Sequence, residues 1–235
     1  MTQHQICKHQ GLPLDTVLHY TKYPHPADAE EILGKEESMD YTLEVYTDGS
    51  KGDSGIGAGI AIFKQHGIID QLQYKLHDRY SNNHAEQIAI FKALEAVKSF
   101  NSLEGRPKTA IIYTDSRITI DSLLNTTSHG NIIDNFRQQT RELTAQNWTI
   151  HYSWVKAHVG NFGNELADNI AKSAARNTNL QHCYGRIPES DVLRSLQEES
   201  LLQWEREWQA TTKGEMTKSY FQKISLSLEY LLQGT

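Results

Sequence analysis

Four acidic residues fall at the boundary or on the inward face of an element rather than on a solvent face. Asp48 closes an alternating run through Leu43, Val45 and Thr47. Glu86 heads an i, i+4, i+7, i+11 stripe with Ile90, Ala93 and Val97. Asp115 follows the apolar run Thr109 to Thr114, and Asp168 lies near the start of a helical segment, Asn164 to Arg176. Any one of them alone reads as a helix cap or a solvated turn, because acids favour helix starts. Gathered together they would repel and raise one another's pKa values. A divalent cation relieves that repulsion, and carboxylates with few His or Cys neighbours favour Mg²⁺ or Mn²⁺ over Zn²⁺. Two such ions about 4 Å apart stabilise both the attacking and the leaving oxygen of a phosphoryl displacement.

The elements that must position these acids follow from patterning. Residues from Tyr41 alternate and read as a first strand ending at Asp48, with Asp48-Gly49-Ser50 and Gly52-Asp53 as the turn. Gly57 to Phe63 is a second strand, His66-Gly67 a short turn and Ile68 to Leu76 a third strand. Connections this short require an antiparallel meander. Ser81-Asn82-Asn83 are helix-capping types and open a helix ending near Phe100. Thr109 to Thr114 reads as a buried strand, followed by helices from Asp115-Ser116 to Leu124 and from Ile132 to Ala145. Trp148 to Val155 is a fifth strand, and Asn164 to Arg176 a last helix. A helical crossover between the fourth and fifth strands implies that they run parallel. The order βββαβααβα predicts an α/β domain over residues 41–176 with a mixed sheet. If its first and fourth strands are neighbours, Asp48 and Asp115 come side by side.

The ends differ from this middle. Residues 1–40 carry Pro13, Pro24 and Pro26 and no sustained period, which predicts a leader of loop or disorder. Residues 177–235 read as a helical C-terminal extension, with Ser190 as a cap and the apolar positions Val192, Leu193, Leu196, Leu201, Leu202, Trp204 and Trp208. Trp204 and Trp208, four apart, are expected to pack on the domain or on a partner. The formal charge of −6 sits at the two ends. Residues 41–176 hold fourteen Lys/Arg and fourteen Asp/Glu, so their surface outside the acidic cluster is slightly basic. Hydrophobic residues at 38% provide a core and exclude full disorder. No apolar run reaches the roughly 18 residues of a spanning helix. Cys7 and Cys183 make no disulfide framework. The expectation is an intracellular protein of the cytoplasm or nucleus, monomeric and without a membrane partner.

Four motifs in order resemble a type 1 ribonuclease H domain. They are Tyr46-Thr47-Asp48-Gly49-Ser50, Asn82-Asn83-His84-Ala85-Glu86, Tyr113-Thr114-Asp115-Ser116, and Trp154-Val155-Lys156-Ala157-His158-Val159-Gly160 followed by Asn164-Glu165-Leu166-Ala167-Asp168. The resemblance implies the ribonuclease H-like fold: a five-stranded mixed sheet, strands 1–3 antiparallel and strands 1, 4 and 5 parallel, with flanking helices. It implies an endonuclease that hydrolyses the RNA strand of RNA·DNA hybrids with two Mg²⁺ ions, Mn²⁺ being a substitute. Asp48, Glu86, Asp115 and Asp168 would be the metal ligands. His158 would assist proton transfer or product release, and Glu165 would be a further acid near the metals. Gly49, Ser50, Asn82, Asn83 and Ser116 match positions that approach the hybrid.

In style the motifs look most like the ribonuclease H region of arthropod non-LTR retrotransposon polyproteins. That implies a reverse transcriptase domain as a partner within a longer polyprotein. There is no Asp-Asp dipeptide, so no polymerase centre is read here. Between Ser122 and Trp148 only Arg137 and Arg141 are basic, so the basic substrate handle of some family members is missing.

Other signals are weaker. Gly55-x-Gly57-x-Gly59 lacks the helix start that a nucleotide loop needs and reads as strand glycine. His4, Cys7 and His9 lack a fourth zinc ligand. Trp148 and Trp154 read as core, and Lys156 as either a phosphate contact or a solvated charge. The alternative to an enzyme is a catalytically idle retroelement-derived domain that only binds nucleic acid. A transposase or integrase of the same fold would use two aspartates and a later glutamate. Here the glutamate comes second and an aspartate last.

Overall fold

The computed structural model describes residues 14–15, 17–19, 42–100, 108–125, 128–157 and 160–220. The chain divides into two compact units, Met1–Ile187 and Pro188–Thr235.

The first unit is built on five strands, β1 (Leu43–Gly52), β2 (Gly55–Lys64), β3 (Gly67–Leu76), β4 (Lys108–Thr114) and β5 (Trp148–Trp154). Their order across the sheet is β3-β2-β1-β4-β5. Strands β1 to β3 pair antiparallel, while β4 lies parallel to both β1 and β5. Two-residue loops can close only antiparallel pairs, whereas the steps to β4 and β5 pass through helices. In the β2–β3 loop Gln65 and His66 both take positive φ, 50° and 63°, the pair of conformations whose twist matches a tight hairpin. This is the mixed sheet that the sequence implies.

Helices α1 (Asn82–Ser99), α2 (Arg117–Leu124), α3 (Asn131–Ala145) and α4 (Phe162–Arg176) flank it. The Ser81 and Ser116 hydroxyls accept from the backbone N–H of His84 and Thr119, holding the starts of α1 and α2. Helix α1 buries Ala85, Ile88, Ala89, Ala93, Leu94 and Val97 in a core shared with Leu43, Val45 and Ile112.

Glycines bring the helices close on both faces. A Cβ on Gly49 would lie 2.4 Å from the Glu86 nitrogen of α1. One on Gly59 would lie 2.2 Å from the Ala167 oxygen, and one on Gly57 2.3 Å from the Ala171 oxygen, both of α4. Gly49 pairs with Ala58, between these two glycines, so strand alternation puts α1 and α4 on opposite faces. The Gly55-x-Gly57-x-Gly59 run is thus a strand surface shaped for helix packing.

Several local expectations are corrected. Strand β1 does not end at Asp48 but continues to Gly52, because Asp48, Gly49 and Ser50 pair with Gly59, Ala58 and Gly57. The turn is Asp53-Ser54. Within residues 1–40, expected as loop, Leu14–Asp15 and Val17–His19 are strands. Val17–His19 gains its order from pairing with the distant segment Ser128–Gly130, which no local period announces. Trp148 is core, but Trp154, at the last position of β5, is 41% exposed.

In the second unit, α5 (Glu189–Ala210) and α6 (Glu215–Tyr220) supply the expected helical extension. Helix α5 starts after Pro188 with no side-chain cap, so Ser190 is inside the helix rather than its cap. Along α5 Trp204 is exposed and Trp208 half-buried. Among the described residues no helix is long and apolar enough to cross a membrane.

Candidate metal centre

The sheet register creates the site. The last β1–β4 pair is Thr47 with Thr114, so Asp48 and Asp115 stand one step beyond the ladder, side by side where β4 has ended. Asp48 pairs with Gly59 and shares its face, towards α4. Glu86 comes from the first turns of α1, held against β1 at Gly49. One oxygen each of Asp48, Glu86 and Asp115 lie within 4.8 Å of one another. Asp48 and Glu86 are each 6% exposed, and Asp115 is half-buried.

The fourth acid is placed differently. Asp168 lines the same cleft, and its charge is felt at Asp48. Its carboxylate accepts from Lys172, one turn along α4, at 2.6 Å. It is not among the three acids in mutual reach.

Burial and repulsion make this cluster costly without a counter-charge. Burial, then the Asp115 charge, push the Asp48 carboxyl well above the usual carboxylate range. Burial, then the Asp48 charge, do the same to Glu86. Gly49 N–H donates to Asp48 Oδ1 at 2.8 Å, and Asn82 Nδ2 donates to Glu86 Oε1 at 3.5 Å. Glu86 Oε2 is buried with no hydrogen-bond partner. A buried acceptor without a donor carries a desolvation penalty that a cation removes. The donor set is all oxygen and, once deprotonated by cation binding, three-fold anionic, and it fits a hard divalent cation.

The cleft above the acids has a volume of about 640 Å³. Gly49, Asn82, Asn83 and Ser116, expected to approach a substrate, line it; Ser50 is not in its wall. Gly49 has a second reason to be glycine, the backbone of α1 packed against it. Glu165 is exposed and does not line the cleft. His158 and the His4, Cys7 and His9 group lie outside the described residues. Lys156 is exposed.

Sequence reasoning missed two residues around the site. Arg117 lines the cleft, and Trp154 Nε1 donates to the Asp115 backbone oxygen at 3.0 Å. Trp154 sits in the quoted Trp-Val-Lys-Ala-His run, so a signal was present, but strand alternation alone assigned it to the core. Arg137 is only 1% exposed and donates to the carbonyls of Ser122, Leu123 and Asn125 at the end of α2. It caps a helix C-terminus and offers nothing to a substrate.

A family model described as RNase H matches residues 40–176. A ribonuclease H of the bacterium Neorickettsia sennetsu is 32% identical over 150 residues, covering 58% of this chain and 95% of that protein. A ribonuclease H of Francisella philomiragia is 34% identical over 142 residues, covering 55% of this chain and 88% of that protein. The solved RNase H1 of the halophilic archaeon Halobacterium salinarum NRC-1 shares 23% identity at a TM-score of 0.44, covering 56% of this chain and 96% of that one.

Proposed function

The chain belongs to the RNase H family, and from that premise we propose that it hydrolyses the RNA strand of RNA·DNA hybrids at the carboxylate cleft. The observation that carries this reading is the convergence of Asp48, Glu86 and Asp115, from three separate elements, to within 4.8 Å around a buried unpartnered oxygen. Asp168, on the same cleft, completes the set. These four would hold two Mg²⁺ ions, or Mn²⁺ in their place. Bound there, the cations supply charge neutralisation at the scissile phosphate and water of lowered pKa.

The remaining work falls to the chain's own groups. Asn82 and Asn83 open α1 at the cleft wall and present amides to a 2′-hydroxyl, the group that separates RNA from DNA. Gly49 keeps the β1 side low for a sugar edge and Ser116 lines the cleft beside Asp115, its hydroxyl capping α2, while Ser50, outside the cleft wall, would meet the hybrid only beyond it. Contacts of this kind read backbone rather than bases, so cleavage is sequence-neutral. His158 moves a proton at the leaving 3′-oxygen or aids product release. Residues 41–176 form the ribonuclease H domain, 1–40 are a leader and 177–235 an extension.

The finer reading is a ribonuclease H region of a non-LTR retrotransposon polyprotein, monomeric in itself and acting in the cytoplasm or nucleus beside a reverse transcriptase domain. Its support is the style of Ser81 to Gln87 and of the stretch from Arg186 to Gly214. A transcript that continues from this frame into reverse transcriptase sequence supports it; a stand-alone transcript refutes it.

The decisive assay uses an end-labelled RNA·DNA hybrid with Mg²⁺ and then EDTA. The expected result is RNA-strand cleavage that EDTA stops, with plain duplex DNA left intact. Hybrid binding by a folded protein that never cleaves would favour the idle reading, and cleavage of duplex DNA the transposase one.

A further inference from the structure

We infer that Arg117, stacked on the exposed ring of Trp154 at the rim of the carboxylate cleft, positions the substrate by taking a backbone phosphate beside the scissile one. The inference rests on the hybrid-cleaving reading of the cleft and adds to it the group that grips the polyanion.

A cleft walled by carboxylates repels a phosphate backbone beyond the charge its cations offset, so a cation must flank it. The stretch between Ser122 and Trp148 does not provide one through Arg137, which is buried and used on the α2 carbonyls. Lys172 is paired with Asp168. Among the described residues that line the cleft, Arg117 is the one Lys or Arg side chain, and no carboxylate within ion-pair distance of it is found among the described residues.

The support beneath Arg117 is built rather than incidental. Its guanidinium carbon lies 5.4 Å from the centroid of the Trp154 ring. Trp154 is 41% exposed, and its indole N–H is tied to the backbone oxygen of Asp115 at 3.0 Å. The edge of the indole is therefore anchored to the residue that carries a carboxylate of the site, while its face holds the guanidinium. A guanidinium held over an aromatic ring keeps N–H groups free for a bidentate phosphate contact. Arg117 follows the α2 cap Ser116, so the same short segment carries the acid, the cap and the cation.

The test uses the full chain and a fluorescent RNA·DNA hybrid. Steady-state cleavage is measured for wild type, Arg117→Ala and Arg117→Lys. Binding is measured by anisotropy across a salt series in the cleavage-blocked Asp48→Asn background, with and without Arg117→Ala. One charged bidentate contact corresponds to about a tenfold change. The expected result is KM and Kd both raised about tenfold by Arg117→Ala, with kcat within about twofold of wild type. The slope of log affinity against log salt should fall by about 1, the signature of one lost phosphate contact. Arg117→Lys should recover the salt slope but only part of the affinity, because it keeps charge and loses the fork. Unchanged Kd and slope in Arg117→Ala, with wild-type cleavage intact, overturn this inference and leave the nuclease reading standing. A wild-type chain that binds hybrid through Arg117 yet never cleaves overturns the nuclease reading and supports this one. Arg117 is exposed, so its replacement leaves folding undisturbed, and an unchanged melting curve verifies that.

Discussion

Gly49→Ala adds one methyl group where β1 meets α1, at a contact with no room for it. The new Cβ would lie 2.4 Å from the Glu86 nitrogen, 2.7 Å from the Ala85 carbonyl carbon and 2.9 Å from the Ala85 Cβ. Ordinary carbon contacts lie at about 3.5–4.0 Å. Two of the obstructing atoms are backbone and the third is attached directly to it, so no side-chain rotation clears the clash, and α1 must retreat by about 1 Å. Overpacking of this kind costs roughly 1–3 kcal/mol. The retreat also carries Glu86 away from Asp48 and Asp115, whose oxygens now lie within 4.8 Å of its own. A misplacement of about 1 Å at a reacting centre can cost about 10²-fold in rate. The assay is hybrid cleavage at fixed Mg²⁺, with melting curves alongside and a Mg²⁺ titration by calorimetry. The expected outcome is a drop of about 10²-fold in kcat/KM, weaker cation binding and a lower melting temperature. Gly52→Ala is the control, because a Cβ there meets nothing within 4 Å and the variant should behave as wild type. A Gly49→Ala protein that cleaves within twofold of wild type and melts at the same temperature would show that this close approach does not position Glu86.

Asp48→Asn should lower cleavage by roughly 10²–10³-fold, the scale of losing a preorganised electrostatic group. With EDTA at about pH 8, above the raised Asp48 value, the same variant should melt higher than wild type, because it removes a charge held in a buried, repulsive site; a lower melting temperature would contradict that account. The pH dependence follows from the raised Asp48 and Glu86 carboxyls, which keep their protons to higher pH when folded than when unfolded. Their contribution to stability is therefore full below the unfolded value of about 4 and is lost as pH rises through the raised folded values. In EDTA, wild type minus Glu86→Gln should show melting temperature falling from about pH 5 to pH 8, and saturating Mg²⁺ should flatten the trend. A difference that rises with pH would refute it. Arg137→Met leaves the carbonyls of Ser122, Leu123 and Asn125 without their buried donor and should cost about 2–4 kcal/mol in denaturant titration; a loss below 1 kcal/mol would mean those carbonyls find other partners.

Much of the site was readable along the chain because its signals are local. Ser81 and Ser116 announce helix starts through their own hydroxyls, and the structure uses both as caps. Alternation in Leu43, Val45 and Thr47 and the apolar run to Thr114 locate the strands that carry Asp48 and Asp115. Loop length separates the antiparallel pairs from the parallel ones. What was misread has a common cause. Asp48-Gly49-Ser50 resembles a turn by composition, yet pairing with Gly59, Ala58 and Gly57 keeps it in the strand. Trp154 follows the buried alternation of β5 but sits at its exposed end, where it ties down Asp115.

Residue types and their short-range periods therefore determined which groups are acids, which segments are strands and where helices begin. Only the tertiary structure decided that β4 lies beside β1 and stops one step short of Asp48, that glycines admit α1 and α4 from opposite faces, and that Lys172 engages Asp168 while the other three acids converge. The reason is physical: capping and periodicity act over a few bonds along one chain. Strand order and helix approach are settled instead by contacts between segments far apart in sequence, where a single missing Cβ sets how close two backbones can come.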